Sequence, residues 1–318
     1  MDTIKKLTTA QLEKWLGNEE EEFGIEQFRR KYNIDADCDL LYKAFERWVK
    51  AGILKRLRRG WYHKVTPIEP IKWWNGTEGK VIDLVWPYGV DDNSSFGFDE
   101  NIEICSGDII VIAGLKNMGK TTMAYNFLVN NLDKFPQCRL MVNEYKPYQF
   151  RKRIGRLNWV DIWNGDGTPK FELLPVYERH EDYILPNALN IIDWIHIREN
   201  LWEIASKVED IQKPLRDGIA IIFTQKSHGK PFGVGGDWGS FFASVYMTID
   251  NERLTVMYVK SSKSYIQNKT YGFRIIGGGS KFHDIREVKT CPTCKGHKYI
   301  FDKECTNCRG LGYVELDG

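Results

Sequence analysis

Gly114, Leu115, Lys116, Asn117, Met118, Gly119, Lys120 and Thr121, followed by Thr122, read G-x-x-x-x-G-K-T-T. Glycines at that spacing let backbone N–H groups curl around phosphate oxygens, and the lysine reaches the β- and γ-phosphates. The threonine hydroxyl ligates magnesium at the positive end of a helix. The pattern therefore assigns ATP to the whole segment, phosphate contact to Lys120 and magnesium to Thr121. Such a loop works only if a strand delivers it and a helix leaves it. Ile109 to Ile112 form an apolar, β-favouring run before it, and Thr122 to Leu132 read as helix after it. A carboxylate should stand on a neighbouring strand to organise the metal. Asp193, near the end of the apolar run Ala188 to Ile195, meets that need. Taken alone, an aspartate at a strand end is usually a turn or helix cap.

A second constellation lies far along the chain. Cys291 and Cys294 are answered by Cys305 and Cys308, two C-x-x-C pairs with ten residues between them. Four thiolates at this spacing hold zinc tetrahedrally, and nearby glycines let backbone amides turn toward sulfur. Each half resembles the C-x-x-C-x-G-x-G repeat of DnaJ-type zinc modules, although His297 and Lys298 stand where the first half would have its second glycine. A closed four-thiolate site is structural, so catalysis is not expected there.

The N-terminal stretch has a different character. Residues 9 to 17, 24 to 33 and 38 to 51 carry apolar residues at helical spacing, and Gly52 follows the third as a helix stop. Ile53 to Lys64 reads as two short strands around Arg59 and Gly60, with no acidic residue in it. Phe45 to Tyr62 resembles a winged helix-turn-helix. That resemblance implies that Arg56, Arg58 and Arg59 lie along a DNA backbone, where cations release counterions. Asp35, Asp37 and Asp39 open the third helix and would repel phosphates, and a solvated face that meets protein is the alternative reading.

The words around the phosphate loop identify the middle of the chain. Gly107 to Thr122, Asn143-Glu144-Tyr145, Ile192 to His196 and Thr224-Gln225 resemble, in order and style, RecA-like ATPases, and within them the motor of DnaB-type replicative helicases and their phage relatives. The likeness spans about Gly107 to Ile276. It implies that Glu144 polarises the attacking water, with Arg153 matching an arginine that follows, and that Gln225 couples the γ-phosphate to DNA-binding loops. It also implies subunits side by side in a ring or filament. In the family a lysine and arginine pair then reaches the neighbouring subunit's nucleotide. This chain offers Lys260 and Lys263, which supply charge but lack the arginine fork. The loop after Gln225 is rich in glycine, and Lys226, Lys230 and Trp238 have the cation and aromatic make-up for tracking a single strand. A plain surface loop is the competing reading.

These elements imply an α/β fold. A RecA-like core with a mostly parallel sheet spans 105–286, after a winged helix at 1–66 and a linker and lead-in at 67–104, and a zinc ribbon follows at 287–318. Within the lead-in, Trp73, Trp74 and Trp86 are expected to pack rather than bind ligand. The chain's 318 residues suggest about two domains. Its 42% hydrophobic content argues against a disordered or fibrous chain. No apolar run approaches the length of a membrane span, and the first residues lack a signal sequence, so the cytoplasm is expected. A net charge of +2 neither demands nor excludes nucleic acid. The expected function is ATP-driven DNA processing in replication or recombination. The alternatives are a nucleotide-switched adaptor such as a helicase loader, and a transcription regulator.

Overall fold

The computed structural model describes residues 7–67, 80–143, 146–195, 200 and 202–315. The chain forms two compact units, Met1–Asn75 and Gly76–Gly318.

In the first unit the order is α1 (Thr9–Gly17), β1 (Glu22–Gly24), α2 (Ile25–Lys31), α3 (Asp39–Lys50), β2 (Leu54–Arg58) and β3 (Trp61–Lys64). Thr8 and Gln11 form a reciprocal capping box that starts α1. Gly52, at φ +73°, turns the chain out of α3 into the ribbon. The core is strongly aromatic, with Phe45 edge-on to Phe28 and Tyr62 at 5.5 and 4.9 Å between centroids. A third strand, β1, joins the ribbon, giving a three-stranded sheet in the order β1-β3-β2. Glu22–Gly24 is too short to show a hydrophobic period, which is why sequence reading passes over it.

The second unit is built on one ten-stranded sheet. Its elements are α4 (Phe98–Asn101), β4 (Ile109–Gly114), α5 (Lys120–Asn130), β5 (Cys138–Val142), α6 (Pro147–Ile154), β6 (Glu172–Pro175), β7 (Leu189–Ile195), α7 (Glu203–Gln212), β8 (Ile219–Gln225), β9 (Val245–Asp250), β10 (Arg253–Val259), β11 (Thr270–Ile276) and β12 (Lys281–Thr290). The hairpin strands β13 (Tyr299–Ile300) and β14 (Lys303–Glu304) and the strand β15 (Tyr313–Glu315) follow. Six strands in the order β9-β4-β8-β7-β5-β6 run parallel. β10, β11, β12 and β15 extend the sheet antiparallel beyond β9.

The reason for this layering is visible in β4, where all six residues are buried. Ile110 and Ile112 face a cluster that includes Phe127 and Leu128 of α5, whereas Ile109 and Val111 face one that includes Ile204, Val208 and Ile211 of α7. Alternation along each strand therefore feeds two cores, one under each helical layer. This mixed α/β arrangement, with its mostly parallel central sheet, is consistent with the RecA-like core expected from the sequence.

Residues 80–104, read from sequence as the end of a linker, contribute to that core. Trp86 and Phe98 are buried with ring centroids 5.0 Å apart, and Phe96 stacks on Phe98. Trp86 packs as expected, while Trp73 and Trp74 lie outside the described residues. Among the described residues, no helix is long and apolar enough to cross a membrane.

Candidate functional site

Parallel strands all present their C-terminal ends on one edge, and the loops leaving that edge converge on a cleft of about 1010 Å³. Gly114 at the end of β4 pairs with Gln225 at the end of β8, and Val142 of β5 pairs with Asp193 of β7. This register brings the phosphate loop, Asp193 and Gln225 together. In strand order β8 separates the loop's strand from that of Asp193.

The loop itself is held by backbone geometry. Asn117 and Gly119 have φ of +62° and +99°. A Cβ at Gly119 would meet only the movable end of the Ile275 side chain, so the positive φ is what calls for glycine there. The Lys120 ammonium donates to the carbonyl oxygens of Gly114 and Leu115 at 2.8 and 2.7 Å, and to Gln225 Oε1 at 3.3 Å. Burial lowers its pKa below the usual lysine value, while the negative charge of Asp193 opposes that shift. Lys120 is thus a buried cation satisfied by loop oxygens, in position to exchange them for phosphate oxygens.

Further groups line the cleft. Burial and the charge of Asp193 push the Tyr125 hydroxyl up to about 12, against the cation of Arg153, which also hydrogen-bonds it. Tyr125, Arg153 and Asp193 all line the cleft. Thr121 also lines the cleft. Glu144, together with Tyr145 and His196, lies outside the described residues.

One part of the site escaped sequence reading. Gly277, Gly278 and Gly279, all at positive φ, join β11 to β12 and fold over the start of α5. Thr122 Oγ1 donates to the Gly279 carbonyl at 2.8 Å, Asn126 donates to that of Ser280 at 2.8 Å, and Arg156 donates to that of Gly278. Three glycines between the apolar runs around Phe273 and Phe282 are the signal that would have found it. The turn residues Asn251 and Glu252 between β9 and β10 and Lys298 of the cysteine segment also line the cleft.

The loop expected to meet DNA leaves β8 directly after Gln225. Lys230 is exposed, and Trp238 and Phe241 are exposed neighbours with ring centroids 5.0 Å apart. Lys226 differs from them: its side chain is only 7% exposed and pairs with Asp250 at 3.3 Å. It braces the base of the loop instead of being displayed. Lys260 and Lys263 are exposed and outside the chain's own cleft. The Lys260 amide bonds Ser244 at the start of β9, on the sheet edge opposite the phosphate loop.

In the first unit Arg56, Arg58 and Arg59 are all exposed. Arg58 lies over the Trp61 ring at 4.7 Å and Arg56 over Tyr62 at 5.9 Å, so the aromatic residues of β3 order the cations of the ribbon.

Cys291, Cys294, Cys305 and Cys308 are buried, with sulfurs all within 4.8 Å of one another. The Cys291–Cys305 and Cys294–Cys308 sulfurs are 3.9 and 3.5 Å apart. A tetrahedral metal with thiolates at about 2.3 Å requires sulfurs about 3.8 Å apart. The cluster therefore fits a four-thiolate metal site and not a disulfide. The Gly312 amide donates to Cys308 Sγ at 3.2 Å and Asn307 Nδ2 to Cys291 Sγ at 3.5 Å, which are the amide contacts that stabilise thiolates.

Among solved structures, the chain is similar to a KaiC-like protein from the hyperthermophilic archaeon Pyrococcus horikoshii, with 15% identity and a TM-score of 0.46. The likeness covers 64% of this chain and 99% of that one. No family model matches the chain, and no curated protein does.

Proposed function

We propose that the chain binds and hydrolyses ATP and uses it to work on DNA in replication or recombination, as a helicase-like motor or a recombination ATPase. One observation carries the reading. Gln225 touches Lys120 in the cleft, and the loop bearing Lys230, Trp238 and Phe241 begins at the next residue. A change in what Lys120 holds is thereby one hydrogen bond from a candidate DNA-tracking loop.

In this mechanism Lys120 leaves the loop carbonyls for the phosphates, and the backbone amides of Leu115 to Thr121 cradle them. Thr121 and Asp193 would hold magnesium, which supplies charge neutralisation on the phosphates. Glu144 orients and deprotonates water, and Gln225 senses whether the terminal phosphate is present. Lys260 and Lys263, which lie outside their own cleft, act on the nucleotide of a neighbouring copy in a ring or filament. Arg56, Arg58 and Arg59 contact duplex backbone, Lys230 and Trp238 contact a single strand, and zinc fills the four-cysteine site as a structural ion.

The absence of an arginine at the Lys260 and Lys263 positions favours a second reading, a nucleotide-switched adaptor such as a helicase loader. The ATPase rate with and without single-stranded DNA separates the two. A motor is expected to turn over at least about tenfold faster with DNA and to separate strands. Unchanged turnover and intact duplex would leave the adaptor.

A further inference from the structure

The cysteine ribbon is docked against the nucleotide cleft. β15 pairs with β12 through Val288 and Glu315, Lys289 and Val314, and Thr290 and Tyr313. Tyr313 is buried beside Gly272, where an added Cβ would stand 2.9 Å from its ring. Arg253 lies over the Tyr313 ring, with its guanidinium carbon 5.9 Å from the centroid. Arg253 begins β10, and the two residues before it, Asn251 and Glu252, are cleft wall. Ribbon and cleft therefore share one turn.

The ribbon also reaches the cleft itself. Lys298 is half-buried and lines it. It stands between the two cysteine pairs at φ +72°, a backbone region uncommon for lysine. Hydrogen bonds from inside the cluster hold that turn: the Cys305 amide donates to the Lys298 carbonyl at 2.9 Å, and the His297 amide to that of Cys294 at 2.8 Å. Lys298 adds to Lys116, Lys120, Lys146, Arg153 and Arg156, against Asp193 and Glu252 among the described lining residues. That surplus of cations suits a polyanion, and a half-buried ammonium is screened less than an exposed one.

We propose that the ribbon is a wall of the nucleotide site, with Lys298 supplied within the same chain as a contact to the phosphate tail of a nucleoside triphosphate. The inference rests on the nucleotide-binding reading above. It makes the four thiolates a condition for full nucleotide affinity, because closing the cluster fixes the turn that presents Lys298. It also gives the chain a cation from its own ribbon, distinct from any that a neighbouring copy contributes.

The test uses the full chain and fluorescent analogues of ATP and AMP, read by anisotropy with magnesium in excess, alongside measured metal content. Lys298→Gln is expected to weaken ATP binding by about tenfold, the scale of one charge-assisted hydrogen bond, with metal content and AMP binding unchanged. Lys298→Arg should keep ATP affinity. Stripping the ribbon metal with a chelator selective for transition metals should weaken ATP binding by the same factor in the unaltered chain, and no further in Lys298→Gln. If Lys298→Gln or the stripped chain binds ATP as tightly as the unaltered chain, the inference is overturned. If the unaltered chain binds ATP no better than Lys120→Ala, the nucleotide reading falls and takes this inference with it.

Discussion

The phosphate-loop cleft and the cysteine cluster are built in opposite ways. Every ligand of the cluster lies between Cys291 and Cys308, and two short turns bring them together. The cleft draws on β4, β7 and β8, on the Gly277–Gly279 turn and on Lys298, residues spread from Gly114 to Lys298. A site assembled by turns depends on its own few residues. A site assembled by a sheet depends on the register of strands that bury both faces. The first is expected to fail by losing its ion while the rest of the chain keeps its fold. The second is expected to fail by losing chemistry while the ion stays.

Substitution at the cluster should have the largest effect. Cys305→Ser removes one of four thiolates and is expected to abolish stoichiometric metal retention, since structural sites of this kind draw on about 10 kcal/mol or more of binding. Far-UV circular dichroism should remain close to that of the unaltered chain. Loss of most of the signal would show that the ribbon holds up the sheet and would break the contrast. Next in size, Lys120→Ala should cut ATP hydrolysis by about a thousandfold, about 4 kcal/mol, with metal content intact. Residual hydrolysis near the unaltered rate would mean that the buried ammonium is only structural.

Acid sharpens the contrast with a smaller effect. Burial, with the positive charge of Lys207 adding to it, lowers the pKa of His180 to about 4 in the folded chain, from an ordinary value of 6.5. As pH falls below 6.5 the unfolded chain takes up a proton that the folded chain refuses until about 4. Stability conferred by the neutral ring is complete above 6.5 and declines by about 3 kcal/mol on the way to 4, where it levels off. Urea unfolding at a series of pH values should trace this decline. His180→Leu should flatten it, whereas metal release from the thiolates on acidification should persist in the same variant. A decline of unchanged size in His180→Leu would assign the acid sensitivity to other groups.

The contrast also explains what the sequence discloses. The phosphate loop and the C-x-x-C pairs are legible because their chemistry depends on spacing along the chain. Asp193 and Gln225 are legible only once the order of strands is assumed, since their partners, Val142 and Gly114, are far away in sequence. The winged unit is legible in its helices and ribbon but not in β1, whose three residues show no period. Lys226 shows the limit from the other side. Composition groups it with Lys230, yet the hairpin supplies Asp250 as a partner that no local pattern announces. The lead-in residues Trp86, Phe96 and Phe98 look like punctuation between domains because they lack helical or strand alternation. Only Phe98, at the start of the short α4, lies in a regular element, and their burial comes from aromatic packing.

The outer strands of the large sheet have a bearing on how copies of the chain can meet. At one margin stands β15, three residues long and next in sequence to the cysteine cluster. At the other stands β6, four residues ending at Pro175, which has no amide hydrogen to give. Among the described residues, both marginal strands are too short to offer a long ladder of backbone groups for a second sheet to continue. In the ring or filament proposed above, copies would then meet through side-chain surfaces, which can slide, open and re-form. A continuous sheet shared between copies would lock them together.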